Sequence, residues 1–316
     1  SNPSQTELFA RGYGRSLMLP LRQMNATRKA LPGMARAVKG FLTKEFDAKA
    51  ILETPKTRFN GVVSPHRMFG AKAFNIKEIN KIRVLSEGSK LNDVMLSITG
   101  GAMRHYLEAH GELPDTSLTA MAPLSVRSET KKNTIHNQEA AMFVPLGSHI
   151  ECPHKRVKYV HAETKKAKGL TDAMGARQTA EIAKLASAPA MTLGANLMTR
   201  FKLADRVKPF INTVVTNVPG PRVPLYQAGA QAVGVYGMLC LVDGMRLGHV
   251  VQSYTDQITL SFTACRDALP DPDFYIECIQ KSFEEHAAAA LEVQKQLETA
   301  AVAAPAVKKA AKPSKP

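Results

Sequence analysis

At 316 residues, with 42 Lys and Arg against 27 Asp and Glu, the chain is long enough to bury a large core and carries a formal charge of +15, which favours anionic partners such as phosphorylated cofactors, anionic lipid or nucleic acid. No apolar run approaches the roughly eighteen residues of a membrane span, and neither a secretory signal nor metal-ligand spacing is present. Cys152, Cys240, Cys265 and Cys278 are widely spaced, which predicts reduced thiols in a cytoplasmic protein.

Residues 1–53 read as a basic linker and helical segment, with Leu31, Ala35, Val38, Leu42 and Phe46 on one stripe and Arg28, Lys29, Arg36, Lys39 and Lys44 around it. Such a helix can pack on its own domain or lie on an anionic membrane. The start at Ser1, without an initiator methionine, implies a processed chain or a piece of a longer one. A lobe over residues 54–299 follows. Phe59 to Arg67 is turn-rich, and His66 with Arg67 either holds this loop or meets a phosphate, the loop being the simpler role. A strand is expected at Met68–Phe74 and a short helix at Ile76–Leu85.

The central helix is predicted from the recurrence of Leu91, Met95, Ile98, Ala102 and Tyr106. Asn92 and Asp93 open it as candidate caps, and Asp93 also suits the helix dipole. Gly100 and Gly101 each cost about 1 kcal/mol relative to Ala inside a helix, so another element or a ligand is expected to approach that backbone. Turn chemistry at Gly111–Asp115 leads to a strand at Leu118–Val126, and Asn137–Leu146 is expected to be a second strand able to pair with it. Long helical patterns run over Pro153–Ser187 and Pro189–Lys208. The first carries Lys155, Arg156, Lys158, Lys165, Lys166 and Lys168, read as a solvated face, with a CoA-type phosphate or a lipid surface as the alternative.

Phe210–Thr216 reads as a strand ending in Asn217-Val218-Pro219-Gly220-Pro221, a rigid turn whose glycine is expected to supply a conformation the prolines cannot. Strands at Gln231–Met238, Leu247–Tyr254 and Gln257–Thr263 follow, the last two joined by a Thr255-Asp256 hairpin turn. A helix over Asp273–Gln296 closes the lobe, and the Ala, Pro and Lys tail over 300–316 is expected to be disordered. The sum is an α/β fold with a mixed sheet and packed helices. The motifs of nucleotide, serine and zinc hydrolases are absent from the sequence, no histidine has the neighbours of a general base, and basic residues are not interleaved with stacking rings as in nucleic-acid binders.

Four motifs then stand in order: Asn92-Asp93-Val94, Pro123-Leu124-Ser125-Val126-Arg127, Asn217-Val218-Pro219-Gly220-Pro221 and Ser253-Tyr254. Together they resemble the C-terminal half of the bacterial wax ester synthase/diacylglycerol acyltransferase family. The resemblance implies the second lobe of a two-lobe acyltransferase of the chloramphenicol-acetyltransferase kind, akin to peptide-synthetase condensation domains. It implies transfer of a fatty acyl group from acyl-CoA, as co-substrate rather than bound cofactor, to a long-chain alcohol or diacylglycerol. The family's His-His-x-x-x-Asp-Gly motif is not in this sequence, so an N-terminal catalytic lobe is the implied partner, and the chain alone is expected to be inactive. Asn92 becomes the candidate for positioning the thioester or its oxyanion; Asp93, Ser125, Arg127, Asn217, Pro219, Gly220, Ser253 and Tyr254 become tunnel or lobe-interface candidates. No metal and no nucleic acid are implied, and the expected location is cytoplasmic, or peripheral on the inner membrane or lipid inclusions. The competing reading is a non-catalytic lipid-binding scaffold on the same lobe.

Overall fold

The computed structural model describes Ser4, residues 53–125, 139–174, Asn196 and residues 199–303. The basic stripe at Leu31–Phe46, Arg127, residues 175–195, 197 and 198, and the tail from 304 lie outside the described residues.

Six strands form one mixed sheet in the order β1-β8-β7-β4-β2-β3. They are β1 (Arg67–Asn75), β2 (Thr119–Ser125), β3 (Glu139–Pro145), β4 (Thr213–Val218), β7 (Leu247–Tyr254) and β8 (Gln257–Cys265), while β5 (Tyr226–Gln227) and β6 (Ala230–Gln231) make a separate small hairpin. The β2–β4 and β4–β7 pairs are parallel and the others antiparallel. The expected pairing of the strands around Leu118 and Asn137 is present, with Thr119 opposite Pro145 and Ser125 opposite Glu139. The β7–β8 hairpin turns at Thr255, whose φ of 51° is left-handed, and Tyr254 faces Gln257 across the turn.

The helices are α1 (Ile76–Ile82), continued by a 3-10 turn at Arg83–Leu85, α2 (Leu91–Ala109), α3 (Pro153–Met174) and α4 (Pro272–Ala303). Helix α2 packs between α3 and α4, α4 lies on β1, and α3 lies on β3. Val94, Leu96, Ile98, Met103 and Tyr106 are all fully buried, so α2 is enclosed on nearly every side. Helix α4 runs to Ala303, beyond the expected end at Gln296 and into residues expected to be disordered.

Two glycines let α2 sit so deep. A Cβ on Gly100 would stand 2.2 Å from the Leu146 carbonyl oxygen, and one on Gly101 would stand 2.2 Å from Ser282 Oγ and 2.3 Å from Arg156 Nη1. The close approach expected from the sequence is therefore made by the end of β3, by α3 and by α4. This also corrects the reading of Arg156 as part of a solvated face: its side chain is fully buried, and Nε and Nη2 donate to Ile150 O at 2.9 and 2.8 Å, Nη2 also to Glu151 O. Burial lowers its pKa to about 10, which leaves the guanidinium charged at neutral pH.

Two strand expectations need amendment. Strand β4 begins at Thr213 rather than Phe210 and continues through Val218. Asn212 instead ties the preceding segment to Pro55 O, Asn60 and Thr119 N through its side-chain amide. Gln231–Met238 is not a strand beyond Gln231, because its backbone groups bond to side chains: Tyr254 Oη donates to Ala232 O and Ser261 Oγ donates to Gly237 O. This passage leads into a second apolar cluster, in which Leu239, Leu241 and Met245 meet Met121, Val214 and Cys265 of the sheet.

His249 and His286 are buried and hydrogen-bonded on both ring nitrogens. His286 Nδ1 lies 2.6 Å from the Ser282 carbonyl, which can only accept, so the proton is on Nδ1 and Nε2 accepts from Ser97 Oγ at 2.8 Å. His249 bridges Thr213 Oγ1 and Tyr275 Oη at 2.9 and 2.8 Å. Burial pushes both imidazoles down to about 3.

This packing makes two predictions. Gly100→Ala should lower stability by about 1–3 kcal/mol through overpacking, although alanine is favoured in helices by about 1 kcal/mol. A urea midpoint equal to or above the parent's would show that the Leu146 backbone yields instead. Between the ordinary histidine value of 6.5 and about 3, the unfolded chain holds protons that folded His249 and His286 do not. Stability should thus fall as pH falls through that window, by about 1.4 kcal/mol per pH unit for each imidazole. Urea midpoints at pH 7 and 5 should fall less for His286→Gln than for the parent; equal falls would count against His286.

Candidate functional site

At one end of the sheet, where α2 begins, lies a pocket of ≈ 410 Å³. Its apolar wall includes Ile76, Leu91, Ala122, Pro123, Met142 and Val215, and its polar wall includes Lys90, Asn92, Asn217, Ser253, Thr164 and Lys168. The topology explains the convergence. The parallel strands β4 and β7 sit side by side, so the end of β4 at Asn217 and the Ser253 region of β7 reach the same edge as the first turn of α2.

Asn92 and Asp93 divide two tasks. The N-cap of α2 is Lys90, not Asn92, and Asp93 completes the cap: its Oδ2 accepts from Lys90 N at 2.9 Å. The same oxygen accepts from His161 Nδ1 at 2.8 Å, joining α3 to the start of α2. Asp93 is buried and fully engaged, so it shapes the pocket rather than reacting in it. Asn92, one residue earlier, is released from capping. Its Oδ1 accepts from Asn217 Nδ2 at 3.2 Å, which leaves its own amide N–H groups as the donors available to the pocket.

Among the remaining sequence candidates, Pro219 and Ser253 line the pocket. Ser253 Oγ accepts from Gly220 N at 3.1 Å. Gly220 is needed for space and not, as expected, for a left-handed conformation: a Cβ there would stand 1.9 Å from the Ser253 carbonyl oxygen, and its φ is not among the positive ones. Tyr254 is buried away from the lining; its hydroxyl accepts from Leu225 N and donates to Ala232 O, pinning the segment around the small hairpin. Ser125 ends β2, two residues beyond the lining Pro123, while Arg127 lies outside the described residues. His66 ends the loop and Arg67 opens β1: the Arg67 guanidinium donates back to Ser64 O, and His66 O accepts from Arg266 N.

Sequence reasoning did not place Thr164 and Lys168 at this pocket, nor His161 against the Asp93 that lines it. Their i, i+3, i+7 spacing puts them on one face of α3, and that spacing was the available signal. Thr164 Oγ1 is shielded from solvent and has no hydrogen-bond partner, a situation that costs about 1–3 kcal/mol for a hydroxyl left so. Among the described residues no cluster of His, Cys, Asp and Glu could hold a metal ion.

Comparison with known proteins gives this geometry a context. The family described as the WS/DGAT C-terminal domain matches residues 135–286. Residues 135–286 carry a WS/DGAT C-terminal domain. The chain is 29% identical over 248 residues to the O-acyltransferase WSD of Acinetobacter baylyi, covering 78% of this chain and 52% of that protein. It is 31% identical over 243 residues to a Mycobacterium tuberculosis protein provisionally named a diacylglycerol O-acyltransferase, covering 77% and 53%. The chain thus spans about half the length of these curated relatives. In fold it is similar to the wax ester synthase/diacylglycerol acyltransferase of Marinobacter aquaeolei VT8, with a TM-score of 0.58 at 22% identity over 84% of this chain and 56% of that one. A likeness at TM-score 0.50 and 11% identity reaches the nonribosomal peptide synthetase FmoA3, over 76% of this chain and 24% of that one. The WS/DGAT domain therefore has the mixed α/β fold expected of it.

The division of labour at the start of α2 is open to measurement. Asp93→Ala should destabilise the domain by about 1–2 kcal/mol through loss of the cap. Asn92→Ala should stay within about 0.5 kcal/mol of the parent. Chemical denaturation of both variants checks the contrast, and a reversed order would return the capping role to Asn92.

Proposed function

We propose that the pocket is one wall of an acyl-transfer tunnel, completed by an N-terminal lobe, in which a fatty acyl group passes from acyl-CoA to a long-chain alcohol or to diacylglycerol. The observation that carries this reading is the convergence of Asn92, Pro123, Asn217, Pro219 and Ser253, from four separate motifs, around one pocket. The WS/DGAT domain match and the acyltransferase names of the relatives support it. So does the length of those relatives beyond the matched region, which is where we place the catalytic histidine.

In this scheme the histidine of the N-terminal lobe takes the acceptor's hydroxyl proton as its oxygen attacks the thioester carbonyl. The C–S bond then breaks, and the CoA thiolate recovers that proton. Asn92 contributes through its amide N–H, which the Asn217 contact orients and which donates to the thioester oxygen as negative charge develops there. The apolar wall from Ile76 to Ile258 borders the acyl chains. A net charge of +15 suits an anionic lipid surface, where diacylglycerol and long-chain alcohols partition, and among the described residues no helix is long and apolar enough to cross a membrane. We place the protein on the cytoplasmic side, peripheral to such a surface.

The test is turnover of the two-lobed enzyme carrying Asn92→Ala. Loss of a preorganised donor should cut kcat by at least about tenfold, with the thermal unfolding curve unchanged. Parent-like turnover would end the catalytic role of Asn92.

A further inference from the structure

We infer that Thr164 and Lys168 of α3 form the subsite for the phosphopantetheine arm of acyl-CoA, the hydroxyl meeting an amide of the arm and the ammonium its phosphate. The inference rests on the acyl-CoA reading above. It begins with an anomaly in α3. Thr171 in the same helix and Thr99 in α2 turn their hydroxyls back onto the carbonyls of Ala167 and Met95, four residues earlier, at 2.9 and 2.8 Å. That is the usual recourse of a threonine inside a helix. Thr164, a residue of the pocket wall, does not take it: its Oγ1 is packed just beneath the surface and has no hydrogen-bond partner among the described residues, so a small turn of the side chain is what would present it to a ligand. A hydroxyl can both donate to a carbonyl and accept from an N–H, which is what an amide offers.

Lys168 stands one turn further along the same face, about 6 Å along the helix axis. Lys90, at the start of α2, supplies a second ammonium to the lining. Neither lysine is in an ion pair among the described residues. Among the described residues the only carboxylate lining the pocket is Asp93, which is buried and occupied by His161 and the Lys90 backbone. Positive charge at the rim is therefore uncompensated there, and the unmet hydroxyl lies next to it. A ligand that satisfies both has a polar, uncharged amide segment followed by an anionic group. A fatty chain has neither, and diacylglycerol lacks the anion. The acyl chain then extends from the α3 side of the pocket toward the apolar wall and Asn92.

Titration calorimetry on the full chain with pantetheine, phosphopantetheine and CoA tests the assignment. Lys168→Gln should weaken phosphopantetheine and CoA by about tenfold and leave pantetheine nearly unchanged, since only the phosphate contact is lost. Thr164→Val should weaken all three by about fivefold, and Thr164→Ser, which restores the hydroxyl, should recover most of that loss. Equal effects of Lys168→Gln on pantetheine and phosphopantetheine, or a serine variant no better than the valine one, would overturn the subsite. So would CoA affinity unmoved by every substitution, or no binding of any of the three ligands. The acyl-transfer reading is judged separately by turnover of the two-lobed Asn92→Ala enzyme.

Discussion

The position of α2 is the constraint on which the rest of the domain depends. Its first turn supplies Asn92 and the Asp93 cap, and its middle must lie close enough to three neighbours for that turn to meet the sheet edge. Contact at Gly100 with the Leu146 backbone fixes its distance from β3, and contact at Gly101 with Ser282 and Arg156 fixes it against α4 and α3. Intrinsic helix preference is given up at both positions so that depth can be gained. Because packed interiors do not deform continuously, a shift at either glycine would be carried along the helix to its polar end.

Two kinds of polar group result. Those in the interior, such as His249 with Tyr275 and His286 with Ser97, complete their hydrogen bonds within the protein and remain neutral. Those at the pocket do not: Asn92 keeps donors unspent, Thr164 lacks a partner, and Lys90 and Lys168 have no counter-charge among the described residues. The exception in the core is Arg156 Nη1, buried beside Gly101 without a hydrogen-bond partner among the described residues; the other unfinished groups gather where a ligand can finish them.

Much of the fold was legible because its signals are local. Short runs on either side of the Thr255-Asp256 turn marked β7 and β8, helical periodicity marked α2, and the glycine pair announced a close approach. The failures have a common physical origin in contacts distant in sequence. Residues 232–238 look like a strand, yet Tyr254 and Ser261 of the sheet capture their carbonyls at Ala232 and Gly237. Arg156 looks like one more surface cation, yet carbonyls at Ile150 and Glu151 solvate it in the interior. Asn92 looks like a cap, but the carboxylate of Asp93 holds the N-cap backbone, and the pocket lysine and threonine of α3 come into view only when α3 is set against α2. Five candidates from the ordered motifs, Asn92, Asp93, Asn217, Pro219 and Ser253, line the pocket, while the roles of Gly220 and Tyr254 required three-dimensional distances.

The fit between Gly101 and Arg156 also bears on how such a sequence can change over time. The guanidinium occupies the space that a side chain at position 101 would need, and it is held there by carbonyls of the turn leading into α3. Enlarging position 101 first would collide with a buried cation. Shortening position 156 first would strand those carbonyls beside a void. Ser282 Oγ closes the same space from α4, so the three positions are bound to one historical fate: drift must pair a bulkier residue at 101 with smaller ones at 156 and 282, or leave all three as they are.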